Sequence, residues 1–154
     1  MQRITFLIVG KIKTSWIAEG FALFQSRLEK QLSFSVVTIP PSKNIDPKKM
    51  SEEESERITK VVEAFDGDVW LLEEKGKEMT SPQFADLLMK AKDTGRSLLF
   101  ILGGPYGVTP VLKTSIKNHL ALSAMTLPHE WCALLFLEQM YRGCEIQKGT
   151  GYHH

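Results

Sequence analysis

A chain of 154 residues fits one domain and is long enough to bury a core. With 43% apolar and 24% charged residues it is neither a disordered tail nor a low-complexity linker. Nineteen basic against 18 acidic side chains exclude long-range electrostatic capture of free nucleic acid, though not a local basic face or a substrate folded into a large particle.

Ile4–Val9 is a short apolar run closed by Gly10 and is predicted as a buried strand rather than a leader segment. Between Ser15 and Lys30, Ile17, Phe21, Phe24 and Leu28 recur at three- and four-residue steps, the stripe of an amphipathic helix. Phe34–Ile39 is strand-like and stops at Pro40-Pro41. Residues 40–50, with Lys43, Lys48 and Lys49, are predicted as a long flexible loop, after which Ser51 caps a helix and Glu54 completes a capping box. Asp68–Leu72 is the third strand, followed by a charged turn, EEKGKEM. Thr80-Ser81-Pro82-Gln83 has the hydroxyls and the first-turn proline of a helix start.

Leu98–Leu102 is the fourth strand and runs into Gly103-Gly104-Pro105-Tyr106-Gly107. Thr109-Pro110 starts a helix reaching about His119, and 120–127, LALSAMTL, forms the fifth strand. Pro128 opens a helix carrying Trp131, Leu134, Leu135, Leu137 and Tyr141, ending before Gly143; the tail EIQKGTGYHH is polar and irregular. Strands alternating with helices imply an α/β fold, a mostly parallel sheet covered on both faces, over a single domain from 1 to 154. In such sheets ligands sit beyond the carboxyl ends of the strands, where Leu72, Gly103, Gly104 and Leu122–Leu127 converge.

The glycines fit neither a Walker A loop, which needs Lys-Ser/Thr after its last glycine, nor the G-x-G-x-x-G spacing. They suit close approach of a ligand to bare main chain, or a tight strand-to-helix turn. Leu122, Ser123, Ala124, Met125, Thr126 and Leu127 add small and apolar side chains, a surface better matched to an adenine edge and a thioether than to a triphosphate.

GGPYG, then LSAMTLPH, LEQMYRG and a terminal YHH resemble the ribosomal RNA large subunit methyltransferase H family, small SPOUT-class enzymes, over essentially the whole chain. The resemblance implies S-adenosylmethionine as cofactor and methylation of N3 of a pseudouridine in helix 69 of 23S ribosomal RNA on assembled ribosomes. It further implies a cytoplasmic homodimer whose C-terminal third is a deep trefoil knot. By position, the cofactor contacts would be Leu72, Gly103, Gly104 and Leu122–Leu127. The catalytic candidates are Arg142, Tyr152 and His153: the arginine for phosphate or an imide anion, the tyrosine to stack on or bond to the base, the histidine as proton acceptor or base-orienting group. Where the family has Pro-Tyr-His and a basic residue, this chain has Gly151-Tyr152-His153-His154. The altered tail leaves a second reading, a non-catalytic ribosome- or RNA-binding factor that retains the SPOUT fold.

Other residues carry plainer expectations. His129 at a helix start is a capping or packing residue, Glu138 and Arg142 form an i,i+4 pair, and Trp131, Leu134 and Leu135 belong to the core or to a dimer interface. Cys132 and Cys144 have no metal-ligand spacing and are expected to be inert thiols; no metal site and no membrane contact are expected. Arg3, Lys11, Lys13, Lys43, Lys48, Lys49, Arg142 and Lys148 would supply a basic rim for RNA.

Overall fold

A computed structural model describes residues 2–154. In chain order the elements are β1 (Ile4–Val9), α1 (Ser15–Glu29), β2 (Phe34–Ile39), α2 (Pro47–Ala64), β3 (Asp68–Glu78), α3 (Ser81–Asp93), β4 (Leu98–Leu102), α4 (Pro110–Ser115), β5 (Asn118–Ala121) and α5 (His129–Lys148). The five strands form one all-parallel sheet in the order β2-β1-β4-β3-β5.

Side-chain alternation along the strands explains the two layers that cover the sheet. Phe6 of β1 and Phe100 of β4 point to one face, where Phe21 of α1, Phe84 of α3 and Phe136 of α5 complete an aromatic core. Leu7, Leu99 and Ile101 point to the other face, against Ile58 of α2 and Leu112 of α4. β4 is central and buried along its whole length, which is why it reads as an unbroken apolar run.

Several sequence expectations are corrected. The N-cap of α2 lies five residues before the predicted Ser51: it is Asp46, accepting from the Lys48 amide at 3.2 Å, and Pro47 follows. Asp-Pro is itself a helix-start pair. Ser51 and Glu54 therefore lie inside the helix and make no capping box. β3 does not end at Leu72. Leu72 and Lys77 both pair with Leu120, so residues 73–76 leave the ladder and the chain returns to it. Gly76 permits this, because a Cβ there would lie 2.7 Å from the His119 carbonyl carbon and 2.8 Å from Leu120 backbone atoms.

The predicted fifth strand over 120–127 is also misplaced. Only 118–121 find ladder partners, while 122–128 is irregular, tied by the Met125 amide donating to Ser123 Oγ at 2.9 Å. His119 accordingly belongs to β5, not to the end of α4, which stops at Ser115. α5 passes through Gly143 to Lys148 and is closed by Gly149 at φ +65°. Gly143 answers to packing, since a Cβ there would meet Leu88 Cδ1 at 2.9 Å.

Candidate functional site

Because all strands run the same way, the end of β4, the part of β3 that leaves the ladder after Leu72 and the segment that follows β5 open on one side of the sheet, where they border a cleft of about 390 Å³. That lies within the roughly 300–1,000 Å³ usual for small-molecule sites. Leu72, Gly103, Gly104, Leu122, Ser123, Met125, Thr126 and Leu127 all line it; Ala124 does not. Three segments distant in sequence thus meet at one cleft.

The glycines work differently from the expectation. Gly103 and Gly104 do not use positive φ; only Gly107 does, at +75°. A Cβ at Gly103 would stand 3.0 Å from Val108 Cγ1. A Cβ at Gly104 would overlap Glu54 Oε1 and lie 3.1 Å from that residue's carboxyl carbon. The absent side chains are therefore demanded by neighbours within the chain, and the bare main chain presented to the cleft is the consequence. The turn closes through the Gly107 amide donating to the Gly104 carbonyl at 2.9 Å.

α2 fastens this glycine loop from behind. Ser51 Oγ donates to the Gly107 carbonyl at 3.1 Å, and Ser55 Oγ accepts from the Thr109 amide at 2.9 Å. Between them Glu54, 2% exposed, accepts from the Ser42 amide at 2.9 Å. Sequence reading missed this role because Glu54 looked like half of a capping box. It also missed Glu73, Glu74, Tyr106, Lys113, His129 and Cys132 in the cleft wall. The loop 122–128 is held across the mouth by Thr126 Oγ1 donating to Glu74 Oε2 at 3.2 Å. His129 does sit at the start of α5, as expected; burial holds its imidazole below the usual value, and the Val9 backbone, Glu130 and Glu54 oppose that shift. Burial pushes the Cys132 thiol up, and it pushes Cys144 up to about 11.

The catalytic candidates form a second cluster that does not line the cleft of their own chain. Glu138 Oε1 accepts from Arg142 Nε at 3.0 Å, from Arg142 Nη2 at 2.7 Å and from Tyr152 Oη at 3.0 Å. Arg142 also stands 5.0 Å from the Tyr152 ring centroid. Burial, and then Glu138, raise the Tyr152 phenol above its usual value. Arg142 Nη1 lies 3.1 Å from His153 Nδ1. Guanidinium can only donate, so Nδ1 accepts and the ring proton sits on Nε2. In this arrangement His153 offers a donor, not a vacant base. His154 is exposed. Among the described residues no group of His, Cys, Asp or Glu has the makings of a metal site, and no helix is long and apolar enough to cross a membrane.

A parallel α/β sheet whose strand ends hold a bare-backbone cleft defines an enzyme-type scaffold for a small organic ligand. A family model described as "Predicted SPOUT methyltransferase" matches residues 2–153, and the chain belongs to that family. It is 35% identical over 154 residues to "Ribosomal RNA large subunit methyltransferase H" of Geobacter sp. (strain M21), covering 99% of each chain. It is 36% identical over 156 residues to the protein of that name from Cytophaga hutchinsonii, covering 99% of this chain and 100% of the relative. Among solved structures, a methylase family protein from Neisseria gonorrhoeae shares the fold with TM-score 0.53 at 12% identity, over 91% of this chain and 82% of the other.

Proposed function

We propose that this protein is a S-adenosylmethionine-dependent methyltransferase acting on N3 of a pseudouridine in helix 69 of 23S ribosomal RNA, on assembled ribosomes. It works as a cytoplasmic homodimer of single-domain chains, 1–154, each with a C-terminal trefoil knot. The observation that carries the cofactor assignment is the meeting of 72–75, 103–107 and 122–127 around one cleft. The relatives named as ribosomal RNA methyltransferases support the substrate. The return of β3 past the β5 backbone at Gly76 supports the knot, which chains otherwise avoid.

The cleft suits the cofactor on its own chemistry. Leu72, Leu122 and Leu127 supply apolar wall for the adenine and thioether carbons, and Gly103 and Gly104 supply main chain without side chains. When bound, S-adenosylmethionine supplies an activated methyl: the S–CH3 bond breaks with its electron pair kept by sulfur, and an N–CH3 bond forms. Rate then comes mainly from alignment. The N3 proton must leave, and a cation near the imide favours the anion that attacks. Arg142, oriented by Glu138, supplies that cation; Tyr152 stacks on or bonds to the base; His153 Nε2–H donates to it and so orients it. Of the two roles read for His153, proton acceptor or base-orienting group, the second fits the arrangement in which Arg142 donates to Nδ1. The proton goes to water.

Arg142, Tyr152 and His153 do not line the cleft of their own chain. Their tail therefore serves the cleft of the partner subunit. Lys43, Lys48 and Lys49, all exposed, contribute to the basic rim that meets RNA phosphates. Mass spectrometry of ribosomal RNA fragments, after unmethylated ribosomes are incubated with protein and cofactor, should show one added methyl on a helix 69 pseudouridine. Tight ribosome binding without added mass would instead favour the non-catalytic reading, to which His154 in place of a basic residue points.

A further inference from the structure

Glu54 is unusual for a carboxylate. It is 2% exposed, yet among the described residues it makes no ion pair. The nearby cation Arg57 donates to the Pro40 carbonyl at 2.7 Å, and the Ser42 hydroxyl is taken by the neighbouring Glu53. What Glu54 receives is the Ser42 amide, on Oε2. Oε1 lies against Gly104, on the side where a Cβ would stand. Gly104 is cleft wall and Glu54 is not, so the main chain of the glycine loop lies between this carboxyl group and the cavity. His129, also in the wall, is close enough to feel the same carboxylate.

A buried carboxylate without a cation is costly unless a proton or a positively charged ligand comes to it. Charge acts most strongly where the medium is least polarisable, and a thin layer of buried main chain does not screen it as water would. Neither the fold nor the core requires a charge here, since Ser51 and Ser55 already fasten the glycine loop on either side.

We propose that Glu54 is a specificity-determining residue that, beyond the wall carboxylates Glu73 and Glu74, makes the cleft prefer a cationic sulfonium cofactor over the neutral thioether left when its methyl is gone, by setting a buried carboxylate without an ion pair behind Gly104. The inference rests on the S-adenosylmethionine reading of the cleft. It deepens that reading by giving the site a means of product release: the attraction that holds the donor disappears with the methyl, and the spent thioether leaves. Gly104 is then fixed twice over, because any side chain there would push the carboxylate away from the cavity.

The test is calorimetric titration of the full-length protein and of Glu54→Gln with S-adenosylmethionine and, separately, S-adenosylhomocysteine. Circular dichroism and thermal melting confirm that each variant is folded. Glu54→Gln should bind the cation about tenfold more weakly and the thioether within about twofold of the unchanged protein. Glu54→Asp, which keeps the charge, should retain most of the discrimination. Glu54→Met, neutral and of similar length, takes the place of Glu54→Gln if the amide variant does not fold, with the same expected split. Equal weakening of both ligands would make Glu54 a structural support only and overturn the proposal, as would no weakening of either. If the unchanged protein binds neither ligand, the cofactor reading of the cleft fails, a result distinct from a loss of selectivity.

Discussion

Gly76 lies against the main chain of His119 and Leu120, so the contact is backbone on backbone and cannot be relieved by turning a side chain. Gly76→Val must push β3 and β5 apart at the point where β3 rejoins its ladder. Overpacking and loss of that pairing should together cost on the order of 3 kcal/mol, read as a lowered urea midpoint at unchanged slope. Gly104 has a different neighbour. A side chain there strikes the Glu54 carboxylate rather than filling the cleft, so even alanine at 104 perturbs the loop from behind. Both glycines were visible in the sequence; what each one touches was not.

The end of α5 illustrates how a polar residue can anchor an element. Glu145 is buried and accepts from Gln31 at 3.1 Å, just beyond α1, and from Thr150 at 2.6 Å, in the tail. It thereby ties α5, the segment after α1 and the approach to Tyr152 and His153 into one unit. The Thr150 hydroxyl, first, and then Gln31, Lys148 and Tyr141 hold its carboxyl down to about 2, against an ordinary 4.5, with burial opposing. Protons therefore bind the unfolded chain more readily than the folded one between these values. Stability from this group is complete above about pH 4.5 and lost as pH falls towards about 2. Urea midpoints measured across that window should fall less steeply for Glu145→Gln than for the unchanged protein. A parallel fall in the two would remove Glu145 from the account. The sequence placed this residue in an irregular tail because Gly143 looked like a helix stop; its proximity to Leu88 of α3 shows that packing, not termination, selects the glycine.

At the scale of the whole molecule, the strand-end cleft and the Glu138–Arg142–Tyr152–His153 cluster are two separate features of one chain. If each tail serves the partner subunit's cleft, two defective chains should rescue one another. Ser123→Trp obstructs the cleft, and His153→Ala removes the orienting donor; each alone should be nearly inactive on ribosomes. Mixed and allowed to exchange subunits, they should recover up to about half of the activity per mixed dimer, since one of its two sites then has neither lesion. No recovery, with subunit exchange demonstrated, would place each tail at its own cleft. For the dimer proposed above, an exposed apolar pair is at hand in Trp131, 44% exposed and edge-on to Trp16 at 5.2 Å.

Sequence alone determined the alternation of strands and helices, the mostly parallel sheet, the apolar run of β4 and the convergence of Leu72, the glycines and 122–127. These follow from hydrophobic period and turn chemistry, which are local and act within one element. Tertiary structure alone decided where β3 leaves and rejoins β5, where β5 stops, why Gly104 and Gly143 have no side chain, and that Glu54 stands behind the cleft. Each of these depends on which distant backbone or carboxylate arrives next to a residue, and no pattern of neighbours in sequence encodes that arrival.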